Sequence, residues 1–177
     1  MIIVGENLKA LIEQHGIIDY PAAFDHASLT LRLNASVKLI VPPETARPVE
    51  YGEEIPNAWI KDDTIRDPGI TLKPGGCLLG CSQEKVKIPL GYIGFIQTKG
   101  SLARLFVQVH CCDGQIDPGY EGRVTFEICN LGPLSVRLKE KAQVAQLFLA
   151  STSTREIQGY SGRYQGADKP TNYIKPR

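Results

Sequence analysis

The sequence has no excess of either charge, with 20 Lys and Arg against 19 Asp and Glu in 177 residues. That excludes the broad basic face of a duplex-binding protein, so no nucleic-acid partner is expected, and any anionic ligand must be gripped by a few local groups. No apolar run approaches the roughly 20 residues needed to cross a bilayer, and the opening MIIVGENLKALIEQHG has neither a basic leader nor a sustained apolar stretch. The chain therefore reads as soluble and cytoplasmic, without a membrane partner. The five cysteines, Cys77, Cys81, Cys111, Cys112 and Cys129, are odd in number, which argues against a disulfide framework. Neither a CxxC nor an HxE pattern occurs, and the adjacent Cys111 and Cys112 would point to opposite sides of a strand, so no zinc site is expected. Solenoids and propellers are set aside because no repeat of roughly 20 to 50 residues is visible.

What is present suits one globular domain over residues 1–177, 42% of them hydrophobic. Leu8, Leu11 and Ile12 stand at helical spacing before Gly16, predicting a short amphipathic helix over residues 6–15. From Ala27 the period becomes two, with Leu29, Leu31 and Leu33 alternating with Ser28, Thr30 and Arg32. Residues 42–69 are proline-rich, hold an isolated Trp59 and lack periodicity, and read as a long surface excursion. Strand candidates then recur between turn signals at 77–82, 86–88, 91–97, 104–111, 123–130, 134–138 and 143–150. Many short strands at such spacing predict an all-β (mainly β) barrel or jelly-roll-like sandwich. The tail GYSGRYQGADKPTNYIKPR lacks apolar alternation and reads as a mobile or ligand-ordered segment over 157–177.

The chemistry concentrates between Gln97 and Asn130. In RVTFEICN, Val124, Phe126 and Ile128 share one strand face, leaving Arg123, Thr125, Glu127 and Cys129 on the other. On a solvated face Glu127 would be an ordinary carboxylate; withdrawn from water, it would bind protons more tightly and could take one from water and pass it on. The turn Thr98-Lys99-Gly100-Ser101 offers a cation, a permissive backbone and a hydroxyl beside free amides, which can grip phosphate without a P-loop. Arg104 could pair with a carboxylate, fork onto phosphate, or simply make a surface ion pair. Ile116-Asp117-Pro118-Gly119-Tyr120 makes a tight corner presenting an acceptor beside an aromatic plate, suited to a sugar or to nothing more than a hairpin. His110 reads as a satisfied histidine, since no second ligand stands at a suitable spacing.

Taken together, TKGSLARL, a following His, IDPGYEG, VTFEICN and the tail YSGRYQG resemble, in order and spacing, the dCTP deaminase family of the trimeric dUTPase-like superfamily. SLTLRL early and AQLFL late belong to the same register. The resemblance implies a distorted jelly-roll-like β-barrel with a short N-terminal helix, a homotrimer with sites between subunits, and Mg²⁺ accompanying a pyrimidine deoxynucleoside triphosphate. Trimeric dUTPases usually carry an aliphatic residue where Glu127 stands, whereas the deaminases place their catalytic glutamate there. The implied reaction is hydrolytic deamination of dCTP to dUTP and ammonia, with or without cleavage to dUMP and pyrophosphate. Glu127 would activate water without zinc, and Arg104 would hold the glutamate and the developing charge. By the same correspondence Lys99, Gly100 and Ser101 would meet phosphates, Asp117 the 3′-hydroxyl and Tyr120 the deoxyribose. Tyr160, Arg163, Tyr164 and Gln165 would close over the triphosphate as a C-terminal lid.

Four positions depart from the family pattern. Gly100 replaces a serine that helps to position the attacking water, and Ser101, in an extended segment, would point the other way. Asp113 and Gln115 stand for a small and a basic residue, making the base end of the pocket more acidic, and Ala167 replaces a glutamine. Two alternatives stay open on these grounds. One is a pyrophosphatase for dUTP or a modified pyrimidine nucleotide, with Asp117 or Asp113 near the attacking water; the other is a non-catalytic nucleotide-binding regulator.

Overall fold

The computed structural model describes residues 1–19 and 24–175. Helix α1 (Gly5–His15) buries Leu8 and Leu11. It ends where Gly16 adopts φ 58° and its N–H donates to the Ile12 carbonyl at 2.9 Å, a left-handed cap that glycine takes without steric cost. Strands β1 (Phe24–Asp25), β2 (Ser28–Arg32) and β3 (Ser36–Ile40) follow. A single 3₁₀ turn at Asn57–Trp59 leads into β4 (Ile60–Thr64) and then β5 (Ile70–Leu72). The long β6 (Cys77–Lys87) precedes β7 (Tyr92–Thr98), the one-turn helix α2 (Gly100–Ala103), β8 (Val107–Gln108) and β9 (Gln115–Ile116). The last three strands are β10 (Glu121–Asn130), β11 (Val136–Leu138) and β12 (Gln143–Ser151).

The expected mainly β architecture with one short N-terminal helix is what forms. One five-stranded sheet runs β1-β2-β12-β7-β9, a second runs β4-β3-β6-β10-β8, and β11 pairs with β5. Leu29, Leu31, Ile96, Leu147 and Leu149 from the first sheet meet Leu78, Val86, Phe126 and Ile128 from the second in one core. An ion pair ties the sheets: fully buried Glu84 on β6 accepts from Arg32 on β2 through Nε at 2.6 Å and the backbone N–H at 2.9 Å. Removing Arg32 would strand the Glu84 charge in the core. No helix among the described residues is long and apolar enough to cross a membrane.

Four expectations need correction. The strand predicted at 104–111 is only Val107–Gln108, because Phe106 turns the chain at φ 57° and lies exposed with Leu105. The Lys99–Ser101 turn opens α2 rather than an extended segment, with the N–H groups of Leu102 and Ala103 donating to the Lys99 carbonyl at 2.9 and 3.0 Å. The pair of strands expected at 77–82 and 86–88 is one strand. The excursion over 42–69 contains β4, held in register against β3 from Ser36↔Thr64 to Ile40↔Ile60.

Candidate functional site

β10 alternates as its sequence requires: Gly122, Val124, Phe126, Ile128 and Asn130 are buried, and Arg123, Thr125, Glu127 and Cys129 half-buried. That second face does not look into bulk solvent. It forms one wall of a cavity of about 540 Å³ that is lined by Glu127, Asp113, Asp117 and Gln115 and by the rings of Tyr120, Tyr160 and Tyr164. The segment His110–Asp113 is clipped alongside: His110 bridges Glu127 in parallel, and the Cys111 N–H donates to the Glu127 carbonyl at 3.3 Å. The Asp113 N–H points at Glu127 Oε2 at 3.4 Å. Burial raises the proton affinity of Glu127 above the usual glutamate range and the neighbouring Asp113 charge adds to this, while the Asp113 and Cys112 amides oppose it. Burial likewise lowers the His110 pKa, and its Nδ1 meets Thr98 Oγ1 at 3.3 Å.

From Asp113 a short polar chain runs toward the corner. Asp113 Oδ1 accepts from the Gln115 N–H at 3.1 Å, and the Gln115 side-chain amide donates to Asp117 Oδ1 at 2.9 Å. The corner needs glycine at 119: φ is +85°, and a Cβ there would lie 2.7 Å from the Gly159 Cα of the tail. Tyr120 presents its ring rather than its hydroxyl. The hydroxyl donates to the Arg123 carbonyl at 2.7 Å, and the ring meets Tyr160 edge to face, centroids 5.8 Å apart. Burial pushes its phenol well above the ordinary value.

The tail crosses this corner and returns to the cavity. Tyr160 donates its N–H to the Pro118 carbonyl at 2.8 Å, and the Tyr160 hydroxyl accepts from the Tyr164 N–H at 3.3 Å. Gln165 accepts from the Glu121 N–H at 3.0 Å and donates to the Gly119 carbonyl at 2.9 Å. The Arg123 N–H donates to the Ala167 carbonyl at 2.7 Å. Farther on, Thr171 Oγ1 meets Thr125 Oγ1 at 2.9 Å, and Asn172 and Tyr173 complete the lining. These three residues were missed from the sequence, and Thr125 was placed on the Glu127 face but given no role; Thr-Asn-Tyr carries no pattern of its own, and only the path of the tail brings it in. Pro176 and Arg177, the end of the expected lid, lie outside the described residues.

Six of the predicted residues therefore meet in one cavity: Glu127, Asp113, Asp117, Tyr120, Tyr160 and Tyr164. Lys99, Gly100, Ser101, Arg104, Arg163 and Gln165 do not line it. Lys99 Nζ reaches Thr30 Oγ1 at 3.1 Å and Asp25 at 3.5 Å. Arg104 is exposed and folds back onto the Gly100 carbonyl at 2.8 Å. The Arg163 guanidinium donates to the carbonyls of Ile174, at 2.6 Å, and Lys175. Among the described residues, then, the cavity holds three carboxylates and no Lys or Arg side chain. No group of three or more His, Cys, Asp or Glu side chains among them is placed to hold a metal ion.

Residues 2–152 match the family model described as dCTP deaminase-like, and the chain belongs to that family. A relative named dCTP deaminase, dUMP-forming, from Kocuria rhizophila is 33% identical over 156 residues, 85% of this chain and 81% of the relative. One of the same name from Pseudarthrobacter chlorophenolicus is 30% identical over 179 residues, 97% of this chain and 93% of the relative. The crystal structure of 2′-deoxycytidine 5′-triphosphate deaminase from Agrobacterium tumefaciens superposes with a TM-score of 0.62 at 18% identity. That likeness of fold covers 85% of this chain, which spans 48% of the other chain's length.

Proposed function

We propose that this protein hydrolyses dCTP with release of ammonia and carries the product on to dUMP and pyrophosphate. The observation that carries the reading is the Glu127 carboxylate, drawn out of bulk water at the wall of the cavity and made a better proton acceptor by that burial. In the proposed reaction Glu127 takes a proton from water as its oxygen attacks C4 of cytosine. The carboxyl hands that proton to the ring nitrogen, then takes the remaining proton from the new C4 hydroxyl and gives it to the amine as the carbon–nitrogen bond breaks, so the glutamate ends as it began. The two relatives named dCTP deaminase, dUMP-forming, support the second stage, formation of dUMP.

The remaining roles follow from placement. Asp117, steadied by the Gln115 amide, is proposed to accept from the 3′-hydroxyl, and the Tyr120 and Tyr160 rings to flank the deoxyribose. Tyr160, Arg163, Tyr164 and Gln165 are proposed to shield the triphosphate as a lid that moves for entry and exit. A cavity with three carboxylates repels a triphosphate unless cations come from elsewhere. The exposed α2 turn is therefore proposed to act on the cavity of another copy within a homotrimer, Lys99, Gly100 and Ser101 toward phosphate and Arg104 toward the glutamate and the developing charge. Mg²⁺ would be held by the triphosphate's own oxygens and would offset its charge there. The test is to incubate purified protein and Mg²⁺ with dCTP and resolve products. Ammonia and dUMP are expected from the wild type, and Glu127→Gln should bind dCTP within about threefold while losing 10²–10⁴-fold in turnover. Full turnover by that variant would remove Glu127 from the mechanism.

A further inference from the structure

Four of the five cysteines, Cys77, Cys111, Cys112 and Cys129, are near enough to perturb one another, although no spacing in the sequence signals it. Cys77 on β6 is the direct cross-strand partner of Cys129 on β10, the pair next along the same face from Leu79↔Glu127. The Asn130 N–H donates to the Gly76 carbonyl at 3.0 Å, so the adjoining 129/77 pair falls on a non-hydrogen-bonded rung. There opposed Cα atoms approach to about 4.5 Å, within the roughly 4.4–6.8 Å that a disulfide spans. Beyond the larger effect of burial, the Cys77 and Cys111 thiols lie near enough to Cys129 to raise its pKa. Cys112 continues the row into the cavity. Cys77 is exposed and Cys129 half-buried, so an attacking thiol accessible to reagents sits beside a sheltered resolving one.

We infer that Cys77 and Cys129 are a site of reversible thiol oxidation, closing a disulfide between β6 and β10 beside the wall that carries Glu127. The oxidant is a small disulfide of the glutathione class. The Cys77 thiolate attacks one of its sulfurs, forming a mixed disulfide and expelling one small thiol. The Cys129 thiolate then attacks the Cys77 sulfur, forming the protein disulfide and expelling the second. Two protein thiols lose two electrons and two protons, and the oxidant gains them. Burial and the neighbouring thiols raise the Cys129 pKa, so closure runs faster at pH 9 than at pH 7. The cross-link closes a long loop and stiffens the wall in which Glu127 stands.

The full-length protein is incubated with oxidised glutathione at both pH values, and free thiols are counted after denaturation. The expected result is a fall from five thiols to three, one peptide pair containing Cys77 and Cys129 on non-reducing digestion, and reversal by dithiothreitol. The oxidised protein should also melt higher by roughly 5–10 °C. Cys77→Ser, at an exposed position, should keep all four of its remaining thiols apart from any stable glutathione adduct. Five thiols after oxidation, a link using Cys111 or Cys112 instead, or a persistent mixed disulfide on Cys77 would each overturn the assignment. None of these readouts involves nucleotide turnover.

Discussion

The cavity wall and the α2 turn are both rich in polar groups, yet they are built in opposite ways. Glu127 is half-buried on a ten-residue strand, clipped by two backbone contacts from His110–Asp113, and raised in proton affinity by its surroundings. Arg104 stands exposed one turn after Lys99 and donates to the Gly100 carbonyl. An acidic half inside the cavity and a basic half outside it fit the proposed site divided between copies, in which the carboxylate would be tuned before substrate arrives and the cation supplied on assembly.

The strongest test of that contrast is to separate the halves. Arg104→Ala should lose 10²–10³-fold in deamination with little change in melting temperature, because its side chain is exposed. An equal mixture of the Arg104→Ala and Glu127→Gln proteins, unfolded together and reassembled, should recover about a quarter of wild-type activity if each site draws on two copies. Recovery of nothing would place both groups in one chain's site. A second measurement tunes the acidic half alone. In the proposed mechanism Glu127 acts as a base only when ionised, so activity is expected to be lost as pH falls through its raised pKa. Asp113→Asn removes a neighbouring negative charge and should move the acid limb of the kcat/KM profile to lower pH.

Smaller effects probe how the wall is held. Tyr120→Phe deletes the 2.7 Å bond to the Arg123 carbonyl. The expected loss is about 0.5–1.5 kcal/mol, read as a drop of roughly 2–5 °C in Tm. The smallest expected change is a gain. Because folding raises the Glu127 pKa, the folded state disfavours its ionised form, a penalty absent below the ordinary glutamate value and incurred as pH rises through the folded one. Glu127→Gln should therefore melt higher at pH 7.5 by on the order of 1–3 °C, with the difference vanishing near pH 4. A lower melting temperature at pH 7.5 would mean that the carboxylate is paired rather than merely desolvated.

Much of this was legible in the chain. The alternation in RVTFEICN placed Glu127 and Thr125 on one face, and Gly16 marked the end of α1, because strand period and left-handed caps are local properties of a few residues. The proximity of Asp113, Asp117 and Tyr120 to Glu127 could be read only through a family resemblance. Periodicity erred at Leu105-Phe106-Val107, an apolar run that suggests a strand but turns at Phe106 and leaves its first two side chains exposed. It also passed over Ile60–Thr64, whose acidic sequence has no alternation and is a strand because β3 offers a partner edge.

The sequence by itself determined the elements whose signals are local: the helix cap, the buried alternation of β10, and the Asp-Pro-Gly-Tyr corner, whereas β2, expected to bury one face, buries Ser28 and Thr30 as well as Leu29 and Leu31. Only the tertiary structure decided that the tail returns Thr171–Tyr173 to the cavity, that Arg104 stays outside it, and that Cys77 faces Cys129 across a ladder. Those depend on register and on the path of distant segments, which are settled by long-range pairing and burial rather than by any residue's own preference.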